Sequence, residues 1–283
     1  SDLNALAADG AGGVIAVGSG GAIHRRSASG EWSETRRPSG ASAWTAACVA
    51  PDGRGMVVGD GPPARTTDHG ATWSEDVPPP GSAPDVLDAP HYTSIGCRGD
   101  RFTVMGDWSA ATRVEDSSWT KASAPRSGSP AQVAQVRSSE WGTWIAVGAA
   151  GYLARSEDGV TFIEQPSPVD GWGFLGVAAG PDGRWWAVGE AGLIASSTDD
   201  GRRWSVQQSG SREDLYAVRF VDAHRGIAVG AHGTALLTRE GGADWRDASP
   251  GGDAYLGDAL WLDSSHVLAV GGAGRALVLT TAP

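Results

Sequence analysis

The chain has 283 residues, 40% of them apolar, with 42 glycines, 16 prolines and a formal net charge of −11. That acidity repels phosphate backbones and argues against general nucleic-acid binding. No apolar run approaches the roughly 18 residues needed to cross a bilayer, and no charged-then-apolar leader is visible, so a soluble chain with a processed or trimmed start at Ser1 is expected.

Internal repetition is the dominant signal. A Val-Gly or Met-Gly landmark falls at Gly18, Gly59, Gly106, Gly148, Gly189, Gly230 and Gly271, at steps of 41, 47, 42, 41, 41 and 41 residues. Around each lie short apolar runs separated by turn residues, as in Gly226–Gly230, whose sequence is Gly-Ile-Ala-Val-Gly. In chain order the repeats are expected at about 3–38, 43–80, 92–125, 132–168, 173–210, 214–251 and 254–283. A proline-rich connector, Pro78 to Pro90, accounts for the one long step. Turns such as Pro51-Asp52-Gly53 and Pro181-Asp182-Gly183 separate the strands, with proline presetting φ and glycine accepting positive φ. Helical periodicity is absent throughout. Four short antiparallel strands in about 40 residues is the pattern of a propeller blade, so the expected fold is all-β, one seven-bladed β-propeller filling the chain.

Two cysteines, Cys48 and Cys97, fall in the first strands of repeats 2 and 3 and admit a single disulfide. Aligning Trp44 with Tyr92 puts Cys48 opposite Gly96 and Cys97 opposite Val49. The two side chains then point to opposite faces of their sheets. Because a disulfide requires converging Cβ vectors, two free buried thiols are expected.

A second landmark lies between strands 3 and 4. Repeat 2 reads Thr66-Thr67-Asp68-His69-Gly70-Ala71-Thr72-Trp73, and repeat 5 reads Ser197-Thr198-Asp199-Asp200-Gly201-Arg202-Arg203-Trp204. Repeat 6 substitutes Glu240 for the aspartate, and repeat 4 is one residue short and ends in Phe162. The physical reading is a hairpin whose carboxylate accepts turn amides while the aromatic packs between sheets. The pattern Ser/Thr-x-Asp-x-Gly-x-x-Trp resembles the Asp-box, or BNR, turn. Together with Gly-x-Ala-Val-Gly-x-x-Gly it makes the chain from Leu3 to Thr280 similar to the propeller family of the photosystem II assembly factors and their bacterial relatives. The resemblance implies an exported protein and a fold, whereas a role does not follow from fold-level analogy.

The residue after each landmark glycine reads Ser19, Asp60, Asp107, Ala149, Glu190, Ala231, Gly272, with Trp108 and His232 following on the same turns. On a shared rim, Asp60, Asp107 and Glu190 would form part of an acidic ring beside Trp108, suited to cations, sugars or a metal. The plainer reading is that acidic residues favour tight turns. Asp107 and Glu190 could also act as the carboxylate pair of glycoside hydrolysis, which needs about 5 to 10 Å between them. In the inner strands, Arg137 and Arg219 occupy equivalent positions with Asp258 nearby, either paired across the channel or forming an anion site. The six histidines are scattered, no phosphate-binding loop opens a helix, and no Arg-Ile-Pro segment or placed tyrosine-glutamate pair supports a sialidase. No cofactor, resident metal or catalytic set is therefore expected. The leading reading is a monomeric, non-catalytic scaffold with a protein or glycan partner, and the alternative is a carbohydrate-active hydrolase or lyase. Repeat 7 stops after its third strand near Arg275–Thr280, so its outer edge is expected to be unpaired, once covered by a removed segment or filled by a partner's strand.

Overall fold

Short runs of β-branched and small residues, broken by glycine and aspartate, cannot bury both faces of one small sheet; they must stack. In the computed structural model, which describes residues 2–35, 41–79, 92–106, 109–115, 117–123 and 133–281, they form seven antiparallel sheets, six of four strands and one of three. The first strands are Leu3–Ala8, Trp44–Val49, Tyr92–Arg98, Val133–Ser138, Phe174–Ala179, Leu215–Phe220 and Leu256–Trp261. The second strands carry the landmark at their ends, from Val14–Gly18 in blade 1 to His266–Gly271 in blade 7. The third strand of blade 7, Ala276–Thr280, is the outermost of its sheet among the described residues. This is the expected seven-bladed propeller with a three-stranded last blade. No α-helix occurs among the described residues, only five three-residue 3-10 turns. The expected connector between repeats 2 and 3 lies mostly outside the described residues.

The core is divided into seven clusters, one at each junction between neighbouring blades. Ile15, Val17, Trp44 and Val57 join blades 1 and 2, and Trp186, Val188, Leu215 and Ala228 join blades 5 and 6. Leu3, Leu6 and Val14 meet Leu268 and Val270 where blade 7 returns to blade 1. Successive residues of each second strand therefore serve alternate junctions, which explains why Val14–Gly18, Trp144–Gly148 and Trp185–Gly189 are buried on both faces.

The landmark glycine has a spatial rather than a torsional cause. Gly189 and Gly230 are extended, at φ −169° and −167°, a region open to any residue. A Cβ at Gly18, Gly230 or Gly271 would lie 1.9 Å from the carbonyl oxygen of the residue entering the first strand of the same blade. That oxygen is held there by the amide just past the glycine, as in Ala231 N–H to Asp214 O at 2.9 Å and Ser19 N–H to Asp2 O at 2.9 Å. A register shift at the start of the first strand occurs in all seven blades.

The expectation of free thiols is wrong. Cys48 and Cys97 form a disulfide, with Cα atoms 5.9 Å apart. The alignment correctly placed the two side chains on opposite faces of their own sheets, but stacked blades meet front to back. Opposite faces of blades 2 and 3 are the two that face each other, and both cysteines pack against the cluster of Met56, Ile95 and Phe102 at that junction.

Two outcomes follow from these contacts. Replacing both cysteines by alanine should lower unfolding free energy by about 2–4 kcal/mol, since the bridge spans 49 residues; chemical denaturation of the variant measures it. Gly230→Ala should cost about 3 kcal/mol by overpacking against backbone, whereas alanine at the unobstructed Gly210 costs only its strain at positive φ.

Candidate functional site

The turns between second and third strands and the loops entering each blade lie at one end of the ring. The turns between first and second and between third and fourth strands lie at the other. The rim candidates belong to the first end. Asp60 accepts hydrogen bonds from the amides of Ser42 and Ala43, each at 2.9 Å, and from the Ser42 hydroxyl. Glu190 accepts from the amide of Gly173 at 2.8 Å. Both carboxylates thus hold the loop that enters their own blade. Asp2 and Asp214 reach from the entering loop to the turn of the preceding blade, accepting from the amides of Ala273 and Ala191, each at 2.8 Å. Sequence reading missed these two because each sits immediately before a strand and not in the landmark turn. Asp107 and Trp108 lie outside the described residues.

His232 occupies a left-handed turn position at φ 49° and pairs with Glu213 at 2.7 Å in the open. The hydrogen bond and charge of Glu213 raise its pKa above the ordinary imidazole value. The rim turns share a tight geometry in which Ala150, Ala191 and Ala273 also have positive φ, followed each time by a glycine that does too. Two consecutive left-handed residues are the requirement of a type I′ hairpin turn.

Arg137 and Arg219 are placed elsewhere. Both sit at the fifth residue of a six-residue first strand, toward the far end from the rim turns. Arg219 pairs with Asp258 at 2.6 Å, and Asp258, buried, also accepts the Leu6 amide at 2.9 Å. This single carboxylate therefore links blades 6, 7 and 1. Arg137 donates instead to the carbonyls of Ile95 and Val136, at 3.0 and 3.3 Å. Burial, with Arg219 nearby and only partly offset by Asp258, lowers its pKa to about 10, so it stays charged at neutral pH. The candidates named from sequence thus divide between two ends of the ring and do not converge on one site.

The recurring turn at the far end is built as its residues require. The Thr66 hydroxyl accepts the Gly70 amide at 3.0 Å and Asp68 accepts the Thr72 amide at 2.9 Å. Ser197, Gly201, Asp199 and Arg203 repeat this at 3.0 and 2.8 Å. The indoles of Trp73 and Trp204 donate to the glycine carbonyls Gly70 O and Gly201 O, each at 3.1 Å. Each turn is also gripped by the blade before it. Arg25 donates to His69 O at 3.1 Å, and Arg155 donates to Asp200 O at 2.8 Å. These aspartates are occupied by architecture.

Three of the tyrosines are held firmly in the protonated form. Burial, reinforced by Glu164, pushes the Tyr152 phenol up to about 12, and burial with neighbouring carboxylates raises Tyr216 and Tyr255 too. A phenol so shifted holds its proton and is a poor nucleophile.

A groove of about 440 Å³ does open on the rim beside Glu190, lined by Val169, Trp172, Leu193, Val206 and Arg212. Trp172 is 51% exposed and Val206 46% exposed. Trp172 comes from the loop entering blade 5, Val206 from its fourth strand, Leu193 from the end of the landmark turn and Arg212 from the loop entering blade 6.

Seven stacked blades, with Asp60 and Glu190 holding the loops that enter their blades, define a β-propeller. The chain belongs to the family described as photosynthesis system II assembly factor YCF48, whose family model matches residues 3–239. A curated relative, the chloroplastic photosystem II stability/assembly factor HCF136 of Arabidopsis thaliana, is 30% identical over 93 residues, which is 31% of this chain and 23% of that protein. Among solved structures, YCF48 bound to D1 peptide superposes with a TM-score of 0.77 at 16% identity, over 100% of this chain and 94% of that one. A virginiamycin B lyase from Staphylococcus aureus superposes at 0.81 with 13% identity, over 99% of this chain and 94% of that one. At such identities the superpositions speak for fold alone.

Partial burial raises the carboxyls of Asp60, Asp68, Asp158 and Asp199, but the hydrogen bonds donated to them outweigh it and all four titrate below the ordinary aspartate value. Between the folded and unfolded values the unfolded chain binds more protons. The stabilisation is therefore complete above about pH 5 and is lost as pH falls through about 4 and below. Urea midpoints measured from pH 6 to pH 3 should decline over that window, and Asp68→Asn should make the decline shallower.

Proposed function

We propose that this protein is a non-catalytic assembly scaffold that holds an extended segment of another protein on its rim, in the groove between Trp172 and Glu190. The observation that carries this reading is the division of labour on the rim: carboxylates are consumed in holding loops, while an aromatic and an aliphatic side chain are left exposed around an open groove. Family membership supports it, and so does the peptide carried by one YCF48 structure of the same fold. Trp172 would anchor an apolar side chain and Arg212 would pair with a carboxylate on the bound segment, the combination typical of interface hot spots. We read the recurring turns as Asp-boxes, the chain as a monomer, and its location as exported. The Cys48–Cys97 bridge supports that location, since such bonds persist in oxidising compartments.

Binding of a fluorescently labelled peptide library to the full chain, read by fluorescence anisotropy of the label, tests the proposal. Trp172→Ala should weaken selected peptides on the order of tenfold or more and leave the melting temperature unchanged. Binding that survives the substitution, or turnover of any member of a glycan panel, would overturn it in favour of the carbohydrate-active alternative.

A further inference from the structure

The first strands of the blades line the axis of the ring, and hydrogen-bond donors outnumber acceptors there. At the fourth residue of these strands the peptide group faces the axis and not the second strand. The amides of Leu6, Val136 and Val177 show this. Each donates to a side chain at the third position of the blade before, Asp258 at 2.9 Å, Ser94 at 2.9 Å and Gln135 at 2.7 Å. The carbonyls of Ile95 and Val136 accept from Arg137 at 3.0 and 3.3 Å, and that of Val218 accepts from Arg219 at 2.9 Å. Ala47, Ile95 and Val218 hold the same fourth position. The blades before them offer Ala5, Ala46 and Gly176, which carry no side-chain acceptor for their amides.

Charge is unbalanced in the same sense. Two guanidiniums, Arg137 and Arg219, share the field of one carboxylate, Asp258. Both oxygens of Asp258 are already engaged, Oδ1 by Arg219 at 2.6 Å and the Ala259 amide at 2.8 Å, and Oδ2 by the Leu6 amide. Arg137 forms no ion pair among the described residues. Its Nη1 serves both carbonyls, and its Nε and Nη2 donate to no described residue. A charge removed from water and left unpaired is costly. Asn4, Gln135 and Arg137 are only half-buried, so solvent ions reach this level of the axis. One surplus positive charge among surplus donors is the requirement of a monovalent anion. A water molecule brings no charge, and a dianion reverses the imbalance.

We propose that the axis of the ring binds a halide-sized monovalent anion, chloride in solution, between the Arg137 guanidinium and the amide of Ile95, with Arg219 adding its charge from blade 6. The site lies on the axis and apart from the rim groove, so either can fail without the other.

An anion that binds only the folded chain stabilises it by mass action. Exchanging gluconate for chloride at constant ionic strength, up to about ten times the chloride Kd, should raise the melting temperature of the full chain by about 3 °C. Arg137→Gln keeps a donor for the Ile95 carbonyl but loses the charge, and should remove the rise. Arg246→Gln, on the exposed fourth strand of blade 6, should keep it. Crystals of the unaltered chain grown in bromide give a readout that needs no variant, an anomalous peak beside Arg137 and Ile95. Equal melting temperatures in chloride and gluconate, a rise that survives Arg137→Gln, or bromide peaks confined to the outer surface would each overturn the proposal. So would an equal rise in sulfate that also depends on Arg137, because a dianion would then fit the site.

Discussion

The contact on which this ring depends is a carbonyl oxygen seated where a side chain would otherwise begin. At Gly18, Gly59, Gly189, Gly230 and Gly271 the entering strand comes so close that only hydrogen fits at the second strand's end. The amide of the next residue fastens that carbonyl, and the tight turn follows. Repeating this clamp sets the start of the inner strand at the same height in these five blades. Junction clusters then stack in register, because the alternating residues of each second strand meet equivalent partners on both sides. Stability of the ring is thus a sum of nearest-neighbour interfaces, as in repeat proteins generally.

The clamp also accounts for the chemistry of the rim. An acidic residue just past the glycine is within reach of the amides of the entering loop, and Asp60 and Glu190 use it for that purpose. On the loops entering the blades that begin at Leu215 and Leu3, an acidic residue reaches instead to the turn of the preceding blade, fastening one blade to the next. Two of the three residues that look in sequence like a partial ring of acids, Asp60 and Glu190, are loop fastenings.

This explains what could be read in advance. The blade count, the strand positions and the short last blade were legible because glycine landmarks and turn residues report backbone requirements directly. Cys48 and Cys97 were misread because side-chain parity was judged within one sheet, although the relevant geometry lies between two. Arg219 and Asp258 were rightly set near each other, but nothing in the spacing tells that Asp258 also receives the Leu6 amide, 252 residues away. The groove at Trp172 was invisible for the opposite reason: its exposed apolar side chains, Trp172 and Val206, lie off the landmark turns, and periodicity marks only what is shared.

Asp258 has a consequence for how the ring comes to be. Equivalent cross-blade bonds, such as Ser94 to Val136 and Gln135 to Val177, join residues 42 apart. The bond to Leu6 closes a loop of 252, which costs roughly 1.5 kcal/mol more in chain entropy. Blades can therefore accrete along the chain as an open arc, with the disulfide fastening blades 2 and 3 well away from its ends. The seam between blades 7 and 1 carries the largest closure cost of the ring, and it is held by two carboxylates, Asp258 and Asp2, and a patch of leucines and valines.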